Sequence, residues 1–327
     1  VTGERLLTTD PERAVRALRE GHLAVLPTET VYGLGARAAD VRAVARVYAV
    51  KGRPADHPLI VHLPGATAID LWATEVPAYA RDLADALWPG PLTLVLRRGP
   101  RSGLHVTGGT ETVGLRVPDH RLTLAVLRAL DDGVAAPSAN RFGRVSPTTP
   151  QHVLDEIADR LVPGDDVVLD GGACRVGVES TIVDATGEAP RLLRPGAISP
   201  AQVARIGGVR VDPAPSPVRA PGMLAAHYSP QARVVVVAAS DVEPTGSTST
   251  EPTVGLLAPA AVPTPVGMVR LSAPRTVRDY AAVLYAALRE ADALGLVQVL
   301  AVPPAGSALA AAVRDRLERA AHRVERG

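Results

Sequence analysis

Residues 10–35 read DPERAVRALREGHLAVLPTETVYGLG, and this stretch sets the fold class. Asp10 stands where a helix cap is wanted, Pro11 suits the first helical position and Gly21 follows the last periodic residue, so ERAVRALREG is predicted helical. LAVLP is a short apolar run stopped by Pro27, the pattern of an internal strand of an α/β sheet. PTETVYGLG, residues 27–35, then sets two threonines, a glutamate, a tyrosine and two glycines between that strand and the next helix, where such sheets leave binding crevices. An ordinary turn, with Thr30 capping and Tyr32 packing, explains the same segment. The spacing is neither a dinucleotide-binding GxGxxG nor a Walker A loop.

Outward from this stretch the alternation continues. Asp40 starts a second helix, VRAVARVYAVKG, which delivers Lys51 and Arg53 to its exit. LIVHL, LTLVL, TVGLRV, VAAPSAN, VVLDG and ESTIVD are further strand candidates, and the unit of about 200 residues closes near the helix-like AQVARI. Residues 207–230 hold five prolines and no clear period, so 207–231 is read as a strap between domains, acting as a lid or as a passive tether. After it come strand RVVVVAA, loop DVEPTGSTSTEPT, strands VGLLAPA and VGMVRL, a helix from Thr276 to about Ala293, strand LVQVLAV and helix LAAAVRDRLERAAHRV. The expectation is an α/β chain: a twisted open-sheet catalytic domain over residues 1–206, the strap over 207–231, and a smaller Rossmann-like three-layer domain over 232–327.

Composition narrows the function classes. Among 327 residues, 46% are hydrophobic but only 3% aromatic, so the cores must be built from Ala, Val and Leu, and base-stacking surfaces are scarce. With 35 basic and 34 acidic residues the formal charge is +1, which gives no global case for a nucleic-acid coat and leaves room only for a local basic pocket. One cysteine, Cys174, excludes a disulfide framework and multi-cysteine metal sites; it reads as a small buried residue. The first twenty-one residues show no signal-peptide core, and no apolar run approaches a membrane span, so a cytoplasmic protein without membrane contact is expected.

Several residue types point to chemistry. Lys51 and Arg53 alternate at a helix exit, where they can hold phosphate oxygens or simply complement the helix dipole. His62, in LIVHL, is expected to point away from its apolar neighbours toward a site, or else to be structural. Arg116 interrupts an apolar strand and needs an anion. Ser138, Asn140, Arg144 and Ser146 follow a strand of small residues and can hydrogen-bond to base, ribose or phosphate; Ser180, Thr181 and Arg194 continue the theme. No serine has a His–Asp partner and GxSxG is missing, so a hydrolase triad is not expected. Read alone, these parts indicate a site for a phosphorylated ligand and a small carboxylate- or amine-bearing partner.

PTETVYGLG, KGRP with PLIVH, APSAN, ESTIVD and LLRPG, in that order, resemble the Sua5/YrdC/YwlC family of threonylcarbamoyl-adenylate synthases over residues 5 to 205. HYSP at 227–230 and the α/β tail resemble the longer Sua5 form. The resemblance implies a YrdC-like fold with a positively charged cavity, and formation of threonylcarbamoyl-AMP and pyrophosphate from L-threonine, bicarbonate and ATP with Mg²⁺. The product serves N6-threonylcarbamoyladenosine at position 37 of tRNA through a separate threonylcarbamoyl transferase complex. Double-stranded RNA binding belongs to the same resemblance, and direct contact with tRNA stays open.

By motif, Thr30, Tyr32, His62, Arg116, Ala136 and Ser180 would contact L-threonine. Lys51, Arg53, His57, Thr112, Ser138, Asn140, Ser146, Arg194 and Tyr228 would contact ATP. Lys51 and Arg53 would be catalytic by neutralising phosphate charge, the reaction proceeding by alignment of two anionic reactants rather than through a protein base. No metal ligand is assigned. Position 57 is His where the common family pattern has Asn, which would make ATP affinity more pH-dependent. The tail carries no motif assignable to catalysis. The alternatives are an RNA-binding or ribosome-maturation module and a carbamoyl-adenylate enzyme with another acceptor.

Overall fold

The computed structural model describes residues 5–222, 228–242, 253–306 and 308–322. In chain order its first strands are β1 (Leu7–Thr8), β2 (Ala24–Leu26), β3 (Gly33–Arg37), β4 (Ile60–His62), β5 (Ala73–Thr74), β6 (Leu92–Arg98), β7 (Thr112–Arg116), β8 (Val134–Ala135), β9 (Val167–Leu169), β10 (Thr181–Asp184) and β11 (Arg191–Arg194). Across the sheet they lie β1-β9-β2-β3-β8-β4-β7-β6-β10-β11, with β5 beside β6. Pairing is mixed. β4 and β7 run parallel with His62 opposite Arg116, whereas β2 and β3 form an antiparallel pair.

The helices end where their residues require. Asp10 caps Pro11–Arg19 by accepting from the Glu12 N–H, and Asp40 caps Val41–Lys51 by accepting from the N–H groups of Arg42 and Ala43. Gly52 closes the second helix with φ +62°, so the chain reverses directly after Lys51. Ala14, Val15 and Leu18 of the first helix pack against Leu122, Val126 and Leu127 of helix Arg121–Leu130, while Val44, Val47 and Tyr48 of the second enter the main core with Leu34, Val61 and Leu115. Aliphatic side chains fill these interiors, as the composition requires.

PTETVYGLG differs from the expected strand-to-helix crevice. Its last residues already belong to β3, which folds back on β2, so residues 27–32 form the bend between two antiparallel strands. The strand was obscured because its glycines are demanded by contact: a Cβ on Gly35 would sit 2.7 Å from Val134 Cγ1 and 2.9 Å from the Ala24 carbonyl oxygen.

The strap is seated on the sheet. Ser216 Oγ donates to Asp184 at 2.6 Å, Arg191 pairs with Asp212 at 2.7 Å, and Val218 and Ala220 pack with Ile60, Val95 and Ile182. Residues 223–227 of the strap, including His227 of HYSP, lie outside the described residues, as do residues 243–252 of the Ser/Thr/Pro loop.

The second sheet holds β12 (Arg233–Val236), β13 (Val254–Leu257), β14 (Met268–Ser272) and β15 (Gln298–Ala301), all parallel in the order β12-β15-β13-β14. Helix Val277–Ala293, opened by a Thr276/Asp279 capping box, and helix Ala308–Ala321 pack together over one face. On the other face Leu256 and Leu300 meet Val237, Val242 and Val262, so among the described residues that third layer is built from connecting segments rather than from a helix.

Tyr280, Ala281, Leu284 and Tyr285 of helix Val277–Ala293 share one apolar cluster with Val31, Val145 and Val178 of the first domain. Arg289 pairs with Glu156 at 3.1 Å and donates to the Val145 carbonyl, and Ser229 N–H donates to Gly143 O at 2.9 Å. Gly177 marks how close the approach is: with φ +79°, its missing Cβ would lie 2.4 Å from the Ala281 carbonyl oxygen.

Candidate active site

One pocket gathers the bend after β2, the exit of helix Val41–Lys51, the ends of β4 and β7, the segment after β8, the approach to β10 and the end of the strap. Lys51, Arg53, Arg116 and Arg194 are its basic lining residues, facing Glu179 as the carboxylate among them. Its free volume is about 60 Å³, and a larger cavity of about 430 Å³ adjoins it across Arg53, Phe142, Pro221 and Gly222.

The helix exit places the first cation. Lys51 Nζ donates to the carbonyls of Ser138 and Asn140, each at 2.5 Å, and burial, reinforced by Arg53, pushes its pKa well below the usual lysine range. Arg53 donates to Pro58 O at 3.0 Å, leaves Nε without a hydrogen bond among the described residues, and lies over the Phe142 ring with 5.8 Å to the centroid. Burial lowers its pKa to about 10, still protonated at neutral pH.

Parallel pairing of β4 with β7 places His62 and Arg116 side by side. Val61 enters the core, whereas Ile60 and His62 both line the pocket; the strand's two-residue period puts them on one face, so His62 does not point away from Ile60. Burial, then Arg116, drives the His62 pKa down to about 3, leaving a neutral ring whose Nδ1 has no partner among the described residues. Arg116 has found its anion: Glu29 stands 2.8 Å from Nη2, an ion pair without a well-directed hydrogen bond. Glu29 also accepts from Asp119 N–H at 3.1 Å. Thr28 Oγ1 donates to Val31 O at 2.6 Å and lies 2.8 Å from Thr30 Oγ1, which fixes the bend and turns Thr30 into the pocket.

Arg194 ties the far wall to the strap. Its Nε and Nη2 donate to Ser180 O at 3.1 and 3.0 Å, and Nη1 donates to Pro221 O at 3.1 Å. Ser180 Oγ lies 2.8 Å from Thr93 Oγ1. Glu179 accepts from Ser146 Oγ at 2.7 Å, from Tyr285 OH at 2.8 Å and from Arg316 Nε at 3.0 Å. Burial alone would raise its pKa, but Arg316, Arg194 and these hydroxyls hold it down to about 2. Tyr228, with φ +63°, lines the pocket while stacked on Tyr285.

The pocket therefore brings together Thr30, Lys51, Arg53, His62, Arg116, Ala136, Ser138, Ser180, Arg194 and Tyr228. Tyr32, His57, Thr112, Asn140 and Ser146 are not among its lining residues. Tyr32 is fully buried, its hydroxyl donating to Gly172 O at 2.7 Å, so it braces the bend. Thr112 starts β7, at the opposite end of that strand from Arg116. Asn140 offers its carbonyl to Lys51 and spends its amide on Arg141 O and Arg144 O. Ser146 serves Glu179. His57 lines the outer cavity, edge-on to Phe142, and burial with Arg53 lowers its pKa, which moves any proton-linked effect below the ordinary histidine range. Cys174 is buried, as read, and its thiol is pushed up to about 12 by burial. Sequence reasoning quoted Glu29 and Glu179 without giving them roles and left out Thr28, Phe142 and Gly222; the carboxylates in PTET and ESTIVD were the available signal.

The family model for Sua5/YciO/YrdC proteins, described as telomere recombination, matches residues 16–196, more than half the chain. This chain belongs to the Sua5/YrdC family. A second model, for the threonylcarbamoyl-AMP synthase C-terminal domain, matches residues 198–322. The threonylcarbamoyl-AMP synthase of Pyrococcus abyssi is 43% identical over 226 residues, covering 67% of this chain and 65% of that protein; the chain thus matches just under two thirds of its relative's length. The Bacillus subtilis threonylcarbamoyl-AMP synthase is 41% identical over 242 residues, 71% of this chain and 68% of that protein. The crystal structure of P. abyssi Sua5 complexed with L-threonine superposes with a TM-score of 0.83 at 36% identity, covering 97% of this chain and 96% of that one. The long, two-domain Sua5 architecture is therefore shared along nearly the whole chain. No helix among the described residues is long and apolar enough to cross a membrane.

Proposed function

We propose that this Sua5-family chain is a threonylcarbamoyl-AMP synthase, joining L-threonine, bicarbonate and ATP into threonylcarbamoyl-AMP with release of pyrophosphate. The observation that carries the reading is a single pocket lined by two differently equipped sets of residues, which we assign to its two ends: Arg116, opposite His62 across β4 and β7, together with Thr30 for the first, and Lys51, Arg53 and Arg194 for the second.

At the first end Arg116 offers an amino-acid carboxylate a guanidinium that Glu29 holds in place, and neutral His62 and the Thr30 hydroxyl are suited to the polar groups beside it. At the second end Arg53 and Arg194 suit a triphosphate, and a bound phosphate would favour the charged form of Lys51 against the burial that lowers its pKa. Bicarbonate takes up a proton and loses water to give carbon dioxide. The threonine amine, after losing a proton to solvent, attacks the carbon of this carbon dioxide and sheds a second proton to form the carbamate. A carbamate oxygen then attacks the α-phosphorus, and the bond from the α-phosphorus to the bridging oxygen breaks, so that pyrophosphate leaves with that oxygen. Lys51 and Arg53 offset the charge that gathers on the phosphates, and no covalent protein intermediate is needed.

Mg²⁺ fits this site as a companion of the substrate. Among the described residues no three acidic, histidine or cysteine side chains are grouped to hold a metal, and Glu29 and Glu179 are both engaged by arginines. The ion would be held by the substrate rather than by protein carboxylates, and would supply charge neutralisation on the triphosphate.

The product would pass to a tRNA threonylcarbamoyl transferase complex, and a cytoplasmic setting follows from that partner. The site's polar groups converge inward beneath the strap, which suits a nucleotide and an amino acid better than an RNA backbone. The test is to incubate the purified chain with ATP, Mg²⁺, L-threonine and labelled bicarbonate, follow pyrophosphate and detect threonylcarbamoyl-AMP by mass spectrometry. Product that requires both threonine and bicarbonate is expected; ATP binding without product would overturn the assignment.

A further inference from the structure

Glu179 is out of place in a pocket for an anionic nucleotide. A carboxylate on that wall repels phosphate unless a fixed positive charge stands behind it. The first domain supplies Ser146 and the neighbouring Arg194, yet the partner in direct ionic contact is Arg316, from helix Ala308–Ala321 of the C-terminal domain.

Arg316 reaches more of the pocket wall than this one contact. It is fully buried, its Nη1 donates to Pro195 O at 2.9 Å, and its guanidinium lies over the Tyr228 ring with 5.6 Å to the centroid. Pro195 follows Arg194, and Glu179 precedes Ser180, whose carbonyl receives Arg194. The guanidinium thus holds the sequence neighbour of each partner in the Arg194–Ser180 contact, and besides Glu179 it meets a second lining residue, Tyr228. Asp315, the preceding residue of the same helix, stands beside it at 2.7 Å, so the cation serves two carboxylates, one from each domain. A buried ion pair of this kind is weak as a stabilising device, because a matched apolar pair often does as well; its value lies in fixing one arrangement.

We infer that Arg316 is a positioning residue for the reaction, furnished by the C-terminal domain: by fixing and neutralising Glu179 it sets how tightly the pocket accepts ATP. The inference rests on ATP being the substrate, as proposed above. It gives the C-terminal domain a part in the chemistry through the charge balance of the pocket.

The test uses the full chain and three variants, Arg316→Met, Glu179→Gln and the double variant, with ATP binding measured by titration calorimetry and folding checked by thermal unfolding. Arg316→Met leaves the Glu179 carboxylate without its direct ionic partner and is expected to weaken ATP binding about tenfold or more, while Glu179→Gln removes a negative charge from the pocket wall, leaves Arg316 paired with Asp315 alone, and is expected to tighten it about threefold. The double variant, again balanced, should return to within about threefold of the parent. A structural role alone would move both single variants in the same direction, and that result would overturn the inference. So would a double variant as weak as Arg316→Met. If Arg316→Met does not fold, the comparison of the double variant with Glu179→Gln decides: loss of the tightening is expected, and equal affinity would overturn the proposal. A parent chain that binds no ATP would instead sink the functional reading.

Discussion

Arg316 Nε and Glu179 Oε2 meet at 3.0 Å although 137 residues separate them, and the contact joins the second domain to the wall of a pocket formed by the first. The pocket is thereby an assembly of both domains, and the consequences can be measured at single residues.

Lys51→Ala should reduce product formation by about 100-fold or more at saturating ATP, because the charge opposed to the phosphates is removed from the transition state. The same change strands the Ser138 and Asn140 carbonyls, which the lysine now satisfies, at a cost of roughly 1–3 kcal/mol for each buried acceptor. Rates at saturating ATP and urea midpoints separate the two effects. Unchanged turnover would show that Lys51 has no part in the chemistry.

Arg116→Lys should raise KM for threonine by about tenfold or more with little change in KM for ATP, since a point charge cannot reproduce the guanidinium fork. Glu29→Gln should shift the same constant by a smaller factor, because it frees Arg116 from its ion pair without removing the fork. Steady-state kinetics with each substrate varied in turn checks both, and a dominant effect on ATP would reverse the two ends of the pocket.

Gly222→Ala addresses the strap. With φ +80°, and a new Cβ 2.6 Å from the Tyr228 hydroxyl and 3.0 Å from Arg194 Nη1, the substitution must shift the strap from the pocket mouth. We expect more pyrophosphate released per threonylcarbamoyl-AMP recovered, as water gains access to the mixed anhydride. An unchanged ratio would reduce the strap to a tether.

His62 predicts an acid-side loss of stability. Its folded-state pKa of about 3 lies below the unfolded value of 6.5, so its contribution is complete above pH 6.5 and declines as pH falls toward 3. By pH 5 this one group should have cost about 2 kcal/mol. Glu179 adds little over that interval, since its own contribution is complete above its unfolded pKa of 4.5 and is lost as pH falls from there to about 2. Denaturant unfolding at pH 7 and pH 5 should show the difference, and His62→Asn should reduce it by about that amount, the remainder coming from His152, whose pKa burial lowers to about 4, and from His57 and His120, which burial also lowers; equal slopes in parent and variant would refute the assignment.

Much of this site was legible as cations in unusual places. Lys51 and Arg53 at a helix exit do reach the pocket, and Arg116 within an apolar strand announced the anion it meets in Glu29. The carboxylates were harder to read: Glu29 and Glu179 make sense in an anion pocket only beside Arg116 and Arg316, and Arg316 in RDRLER looks like a surface charge until the helix is docked. Strand register was equally hidden. Thr112 and Arg116 share β7 yet stand at opposite ends of it, and His62 faces with Ile60 because a strand alternates every residue. The glycines of GLG concealed β3, for close approach by Val134 and Ala24 at Gly35 and by Ala136 at Gly33, rather than a turn, is what calls for them.

Val31 belongs to the bend that carries Thr30, yet its side chain lies in the apolar cluster of the C-terminal domain together with Val145 and Val178. A fragment cut after residue 206 would open these three valines to water as one sticky face directly behind the pocket. Shortening this protein to a soluble single-domain catalyst would therefore mean resurfacing the back of its own active-site loop.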